Sequence, residues 1–148
     1  MAVLAACTPP PPMSSFRDDT IRLSASTRFD PTSFAGTWHV LAHLGTKPEG
    51  TYQFAYDKTD KILTQSTPTN ERYTVRSAGV LDAIGTPQTL IIMWVDEGFR
   101  TAAIGTRDGT FGAILDRQPR GSADRFNAAI QILKFNGWDV SQLKKVKK

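Results

Sequence analysis

The sequence predicts an all-β fold, a small antiparallel up-and-down β-barrel with one C-terminal α-helix packed outside it. Between residues 37 and 116, about seven short β-like segments are separated by turn signals, with no helical pattern among them. Long antiparallel meanders tend to close into barrels because closure removes the exposed strand edges. One amphipathic pattern follows at residues 122–137, and its apolar stripe needs the outer surface of the barrel as a partner.

Length and composition fit one such domain with a tail at each end. The 148 residues are 40% hydrophobic and 22% charged, which is ordinary for a globular protein. We assign residues 1–15 to a linker, 16–143 to the barrel and helix, and 144–148 to a basic tail. This tail holds four lysines of a chain with net charge +4, and we expect it to be solvated rather than to bind nucleic acid. No apolar run approaches ~18 residues, so no helix is expected to span a membrane.

The N-terminal linker contains the chain's single cysteine, which excludes an internal disulfide. Leu4-Ala5-Ala6-Cys7 resembles a bacterial lipobox, in which Cys7 becomes lipidated and anchors the protein to a membrane. The basic and apolar regions of a secretion signal do not precede it, so a late start of the given chain and an accidental match both stay open. Pro9–Pro12 favours an extended polyproline II spacer. In the lipoproteins that this stretch resembles, an aspartate directly after the lipidated cysteine marks retention in the inner membrane, but Thr8 stands at that position here. The resemblance therefore implies the bacterial cell envelope, at the outer membrane facing the periplasm.

The first predicted strand, residues 37–44, is entered through Gly36. One of its faces is apolar: Trp38, Val40, Ala42 and Leu44. This alternation is the period-2 pattern of a half-buried strand, so these four side chains are expected to share one face. Just before it, Asp30 can cap a helical turn that begins at Pro31.

The later strands are bounded by turn residues. Their predicted ranges are 52–56, 61–67, 72–83, 89–95, 99–106 and 110–116. The longest of them is expected to be bent or bulged at Gly79. In residues 52–56, Tyr52, Phe54 and Tyr56 share one face. Residues 89–95 are apolar on both faces, and the sequence does not decide whether the set with Met93 or the set with Ile92 points into the barrel.

The helix is predicted from its cap and its stripe. Ser122 is a good N-cap residue and Gly137 a good residue just beyond the C-terminus. The apolar stripe consists of Phe126, Ala129, Ile130 and Leu133. This spacing predicts an amphipathic helix that covers the barrel wall.

Three blocks in this order resemble the lipocalin family, and within it the bacterial lipoprotein lipocalins. They are the stretch containing Gly36 and Trp38, the turn Asp96–Gly98 with Phe99, and the strand end at Arg117; the match covers residues 29–143. The resemblance implies that Trp38 plugs one barrel end, that Arg117 lies across its indole, and that Asp96 binds backbone amides in a turn. Phe99 replaces the usual tyrosine of that block. The segment from Gly36 to Arg117 is short for the family, so one strand is expected to be missing or replaced.

The resemblance also implies a carrier of a small hydrophobic ligand, such as a fatty acid, a lysophospholipid or a similar lipid. Strand parity selects the candidate ligand-binding residues Val40, Ala42, Leu44, Tyr52, Phe54, Tyr56 and Met93. Four arginines are candidates for meeting an anionic head group: Arg72, Arg76, Arg100 and Arg107. These apolar residues can equally fill a solid core. The alternative is therefore a structural or interaction module that docks a protein partner and has no functional pocket.

Catalysis has little support in the sequence. His39 and His43 lie on one strand face, expected to be outward, about 13 Å apart at ~3.3 Å per residue, which is too far for one metal ion. The chain has no Gly-rich phosphate loop, CxxC or HExxH motif, and no residues spaced for a catalytic triad. We expect neither enzymatic activity nor a cofactor.

Overall fold

The computed structural model describes residues 15–147. The helices are α1 (Pro31–Phe34) and α2 (Ala123–Phe135), with a 3₁₀ turn at Val140–Gln142. The strands are β1 (Gly36–Leu44), β2 (Tyr52–Asp57), β3 (Ile62–Thr67), β4 (Glu71–Ser77), β5 (Val80–Ala83), β6 (Thr89–Val95), β7 (Thr101–Thr106), β8 (Gly112–Asp116) and β9 (Lys144–Lys145). The lipobox at Cys7 and the proline spacer lie outside the described residues.

Strands β1 to β8 form a closed antiparallel barrel. Each strand pairs with the next along the chain, and β1 pairs with both β2 and β8, which closes the sheet. Helix α2 packs outside, on β6, β7 and β8. The predicted fold class is therefore confirmed. Within residues 15–147, no helix has the length and apolar composition needed to cross a membrane.

The strand count of about seven was one too low, because the predicted bent strand 72–83 is a hairpin. Its two halves are β4 and β5, and Ser77 pairs with Val80 across a two-residue turn. Gly79 adopts φ +75° in this turn, and a Cβ there would lie 2.8 Å from the carbonyl oxygen of Ile92. Only glycine tolerates both this backbone conformation and this close approach.

Two β-bulges change which residues face the barrel interior. In β1 the register shifts between Val40 and Ala42, so Val40 packs in the interior core whereas Leu41 and Leu44 pack under α2. In β6 the register shifts between Ile92 and Trp94, so Ile92 packs in the interior core whereas Met93 and Trp94 pack under α2. The predicted single face through Trp38, Val40, Ala42 and Leu44 is wrong for this reason, since a bulge inserts one residue and breaks the period of two.

The interior core is rich in aromatic side chains. Its buried aromatic members are Phe29, Phe34, Trp38, Tyr52, Phe54 and Tyr73. Phe34 contacts Phe29, Trp38 and Phe54, with ring centroids 4.9–5.3 Å apart. This cluster fills the barrel from one end.

A second core lies between α2 and the outer barrel wall. Ala129 and Leu133 of the predicted stripe are fully buried there. Trp138, just after the helix, packs against two glycines of β7 and β8, where a Cβ would come within 2.4 Å (Gly105) and 3.0 Å (Gly112) of its ring. Ser122 caps α2 as predicted, accepting a hydrogen bond from the Arg125 amide. Because Gly105 and Gly112 have no side chains, the Trp138 ring has room to pack against the barrel wall just after the helix.

Both ends of the described segment pack on the barrel. Residues 16–28 are irregular apart from one β-bridge between Arg17 and Trp138. At the other end Lys144 and Lys145 pair with β1 beyond the point where β2 leaves it, and Val146 donates its amide to the Leu41 carbonyl at 2.9 Å. The lysines of this segment are exposed, as expected for a solvated tail, but its backbone is held in the sheet.

Candidate ligand site at the open end of the barrel

One barrel end is closed by α1, Trp38 and Arg117. The Trp38 side chain is fully buried and its Nε1 donates a hydrogen bond to the Phe34 carbonyl at 2.8 Å. The guanidinium carbon of Arg117 lies 3.8 Å from the centre of the indole ring, which is cation–π geometry. Gly36, with φ +107°, leaves room for this arrangement, because a Cβ there would lie 3.0 Å from Nη1 of Arg117.

Arg117 also ties three chain segments together through backbone carbonyls. Its Nη2 donates to Ser33 at 2.8 Å, its Nη1 to Thr37 at 3.1 Å and its Nε to Phe99 at 3.1 Å. These acceptors belong to α1, β1 and the β6–β7 turn. Partial burial lowers the pKa of Arg117. None of the ion pairs within residues 15–147 gives it a carboxylate that would offset this effect.

Asp96 organises the β6–β7 turn at the same end. Its carboxylate accepts hydrogen bonds from the amides of Arg100 and Thr101, at 2.5 and 2.7 Å, and from Nε of Arg100 at 2.8 Å. Burial by itself would raise the pKa of Asp96, but these donors outweigh burial and lower it. Phe99 lies in this turn at φ +53°. The four motif residues, Gly36, Trp38, Asp96 and Arg117, thus lie together at the barrel end that α1 covers.

The opposite end is open and is bordered by four loops. Because consecutive strands are antiparallel, alternate connections lie at the same end: β1–β2 (45–51), β3–β4 (68–70), β5–β6 (84–88) and β7–β8 (107–111). A cavity of about 140 Å³ lies just inside these loops. Its apolar and aromatic lining residues are Tyr52, Tyr73, Leu90, Ile104 and Phe111. Its polar lining residues are Gln65, Thr69, Glu71, Gln88 and Thr106.

Hydrogen bonds hold several of these polar groups in place. Gln65, only 4% exposed, donates from Nε2 to the Thr69 carbonyl at 3.1 Å. Thr106 donates to Asp108 at 2.7 Å, and Gln88 donates to the other oxygen of the same carboxylate at 3.2 Å. The cavity therefore has an aromatic wall and a structured polar rim.

Burial makes the two tyrosines weak acids. It raises the pKa of Tyr52, and together with the charge of Glu71 it raises the pKa of Tyr73 to about 12. Both phenols are thus neutral hydrogen-bonding groups at ordinary pH. Glu71 is half-buried, and none of the ion pairs among residues 15–147 involves it.

The ligand-binding residues predicted from strand parity are not brought together. Tyr52 lines the cavity, whereas Val40, Phe54 and Tyr56 belong to the interior core below it. Leu44 and Met93 pack in the outer core under α2, and Ala42 is buried where β1 pairs with Lys145 of β9.

His43, predicted to face outward, is instead buried opposite Ala113 of the interior core, with Nδ1 3.0 Å from the Gly45 carbonyl oxygen. The β1 bulge accounts for its new position, just as it accounts for those of Ala42 and Leu44.

Sequence reasoning missed most of the cavity wall. Glu71 and Tyr73 alternate along β4, so the same period-2 rule applied to that strand could have selected them. The cavity residues Thr69, Gln88 and Phe111 lie in loops, where no periodic signal exists.

The arginines predicted to meet a head group also lie elsewhere. Arg76 pairs with Asp82 at 2.6 Å and Arg100 with Asp96 at 2.8 Å. Arg72 is exposed on β4, and Arg107 borders a separate outer cleft with Asp108. The cavity lining therefore contains no lysine or arginine.

Larger depressions lie on the outer surface, at least four of them within residues 15–147. One, of about 620 Å³, lies beside Thr46 and Lys144, and one of about 580 Å³ lies at the start of α2. We place the candidate site in the smaller cavity because strands surround it more fully than the outer depressions and its polar groups converge there. No group of three or more His, Cys, Asp or Glu side chains within residues 15–147 is arranged to hold a metal ion.

Comparison with known proteins supports the architecture. No protein-family model matches the sequence, and no curated protein is significantly similar to it. Among solved structures, the major allergen Per a 4 from cockroaches aligns with a TM-score of 0.63 and 11% identity, over 88% of this chain and 96% of that chain. Apocrustacyanin C1 aligns with a TM-score of 0.59 and 13% identity over 80% of each chain, and lobster apocrustacyanin A1 with 0.55 and 14% over 79% of each. These neighbours are lipocalin-family proteins, and the chain has a lipocalin-like fold.

Proposed function

We propose that this protein binds a small hydrophobic ligand in the cavity at the open end of the barrel. The observation that carries the proposal is a partly enclosed cavity of about 140 Å³ whose wall has five apolar or aromatic residues beside five polar ones. Burying apolar surface there contributes about 25 cal/mol per Å² without any specific polar contact. The lipocalin-like fold supports binding rather than catalysis.

The size of the cavity limits the ligand. A designed apolar cavity of about 150 Å³ in another protein holds one benzene molecule. The space here, about 140 Å³, therefore suits one six-membered ring or the end of an aliphatic chain. A whole fatty acid or lysophospholipid would enter only if the interior core residues Phe54 and Leu63, which are at most 2% exposed, moved aside. We propose a compact ligand, with lipids limited to inserting a chain end.

The test is a titration with benzyl alcohol, followed by two-dimensional amide NMR. We expect saturable shifts at Tyr73, Leu90 and Phe111. The dissociation constant should be near 1 mM, which corresponds to a binding free energy of about −4 kcal/mol. Leu90→Phe should fill the cavity and remove these shifts. Phe135→Leu, on the exposed face of α2, is the matched control and should leave them unchanged. Shifts spread over the surface without saturation would contradict the proposal.

A protein-interaction or structural module is the second candidate function. The observation in its favour is the extent to which aromatic and aliphatic side chains fill the interior, since the cavity near the open end measures only about 140 Å³. This candidate predicts no saturable shift at the cavity with benzyl alcohol, benzylamine or a fatty acid. Native mass spectrometry after mild purification would then show the chain in complex with a protein rather than with a small molecule.

We further propose a lipid anchor at Cys7 and a location in the bacterial cell envelope, at the outer membrane. The supports are the Leu4–Cys7 sequence and the proline spacer that follows it. Phe16 donates its amide to the Gly109 carbonyl at 2.8 Å, so a tether would leave the domain beside the β7–β8 loop at the open end. The protein expressed in a bacterium from an upstream start should partition into detergent, and Cys7→Ser should release it. Detergent partitioning of the Cys7→Ser variant would exclude this anchor.

A further inference from the structure

We infer that the open-end cavity selects a compact organic cation, an ammonium group on a ring-sized apolar body, over a carboxylate-headed lipid. The inference rests on the proposed function, since it names the ligand class of the same cavity. It depends on the charges around the cavity and on the aromatic residues of its wall.

The charges at the cavity are negative. Glu71 is the one acidic side chain among the lining residues, and none of them is basic. A second carboxylate, Asp108, lies directly behind the lining, where Thr106 and Gln88 donate hydrogen bonds to it at 2.7 and 3.2 Å. The nearest arginine in sequence, Arg107, borders the outer cleft, as Asp108 also does, but no hydrogen bond links Arg107 to the cavity lining within residues 15–147, and it acts electrostatically on Asp82. A ligand carboxylate would therefore meet like charge, and a ligand ammonium would meet opposite charge.

Glu71 is available to a ligand and its charge reaches the cavity wall. Among residues 15–147 it takes part in none of the ion pairs, whereas the exposed Arg76 is already held by Asp82. Glu71 and Tyr73 lie two residues apart on β4 and both line the cavity; burial, with the charge of Glu71, raises the pKa of Tyr73. An ammonium group beside Glu71 would replace water with a charge-assisted hydrogen bond.

The aromatic wall suits the same ligand class. Three of the lining residues, Tyr52, Tyr73 and Phe111, are aromatic. Aromatic faces attract cations and pack well against a ring-sized apolar body. The Tyr52 ring is held by parallel stacking on Phe54, with centroids 5.8 Å apart and planes within 6°. The wall is therefore positioned before a ligand arrives.

Three probes of equal size and different charge test the inference: benzylamine, benzyl alcohol and benzoate, at neutral pH. In amide NMR titrations we expect benzylamine to bind about tenfold more tightly than benzyl alcohol, which is the ratio that about 1.4 kcal/mol produces. Benzoate should give no saturable shift at the cavity. Raising the ionic strength from about 0.01 M to about 1 M should weaken only benzylamine binding, because salt screens the charge on Glu71.

Glu71→Gln should reduce benzylamine affinity to that of benzyl alcohol and leave benzyl alcohol binding unchanged. Glu97→Gln is the matched control, since it removes the same charge from an exposed position in the β6–β7 turn at the closed end. Equal binding of benzylamine and benzyl alcohol, or a tight benzoate complex, would overturn the inference and leave small-ligand binding standing. Failure of every probe to bind would overturn the proposed function as well.

Discussion

Removing the Arg117 guanidinium should destabilise the protein more than removing any exposed arginine. In the native structure, Arg117 donates hydrogen bonds of 2.8–3.1 Å to carbonyl oxygens in three separate chain segments, and Arg117→Ala removes all three. The indole of Trp38 loses the cation that lies 3.8 Å from its ring centre. The change therefore loosens α1, the start of β1 and the β6–β7 turn together.

The magnitude follows from these contacts. A hydrogen bond to a charged group contributes about 1.5–3 kcal/mol, and a cation–π contact at a partly exposed site about 0.5–1 kcal/mol. Arg117 is half-buried, so water replaces part of what is lost, and contacts made by one side chain do not add fully. We expect a loss of about 2–4 kcal/mol in the free energy of unfolding, a large part of the 5–15 kcal/mol typical of a domain.

Urea unfolding followed by circular dichroism measures this loss. With a slope of about 1–3 kcal/mol per M, the midpoint should fall by about 1–2 M. Arg117→Lys keeps the charge but not the planar fork and should restore less than half of the loss. Arg72→Ala, at an exposed position on β4, is the control and should change stability by less than about 0.5 kcal/mol. An Arg117→Ala variant as stable as Arg72→Ala would refute the argument.

Three further changes test other parts of the structure. Trp38→Ala should cost about 3–5 kcal/mol in urea unfolding, because it deletes a fully buried indole; a loss below about 1 kcal/mol would contradict that burial. Val146→Asp should lower the thermal midpoint by several degrees, because the side chain packs on the interior core where β9 completes the wall; an unchanged midpoint would mean that the segment is dispensable. Asp96 has a lowered pKa in the folded state, so its contribution is present above the ordinary value of about 3.9 and is lost as the pH falls through the folded value. Asp96→Asn should therefore flatten the acid limb of the stability–pH curve, and an unaltered limb would contradict this role.

Local patterns were sufficient for the helix and for most turns. Ser122, the apolar stripe through Leu133 and Gly137 each have the role that the sequence predicted, because caps and 3.6-residue periodicity depend on nearby residues alone. The closed barrel also followed from the sequence, since a run of antiparallel strands with no other partner closes on itself. The sequence predicts a bend at Gly79 where the structure has a hairpin, because its two-residue turn interrupts the β-like pattern too briefly to end a predicted strand.

The candidate site depended on information that no single segment carries. Counting alternate residues along β1 selected Ala42 and Leu44, but the bulge after Val40 turns Leu44 toward α2 and buries His43 opposite the interior residue Ala113. A bulge places one extra residue in one strand opposite its partner, so it is defined by the pair of strands. The sequence of either strand alone does not reveal it.

The sequence by itself determined the class of fold, the positions of the motif residues Gly36, Trp38, Asp96 and Arg117, and the helix that covers the barrel. These features depend on local propensity, on periodicity and on the resemblance of three short blocks. The tertiary structure alone decided the size of the cavity, its negative charge and its wall. Glu71, Gln88 and Phe111 are distant in the chain and meet only when the barrel closes, because closure brings the ends of different strands around one opening.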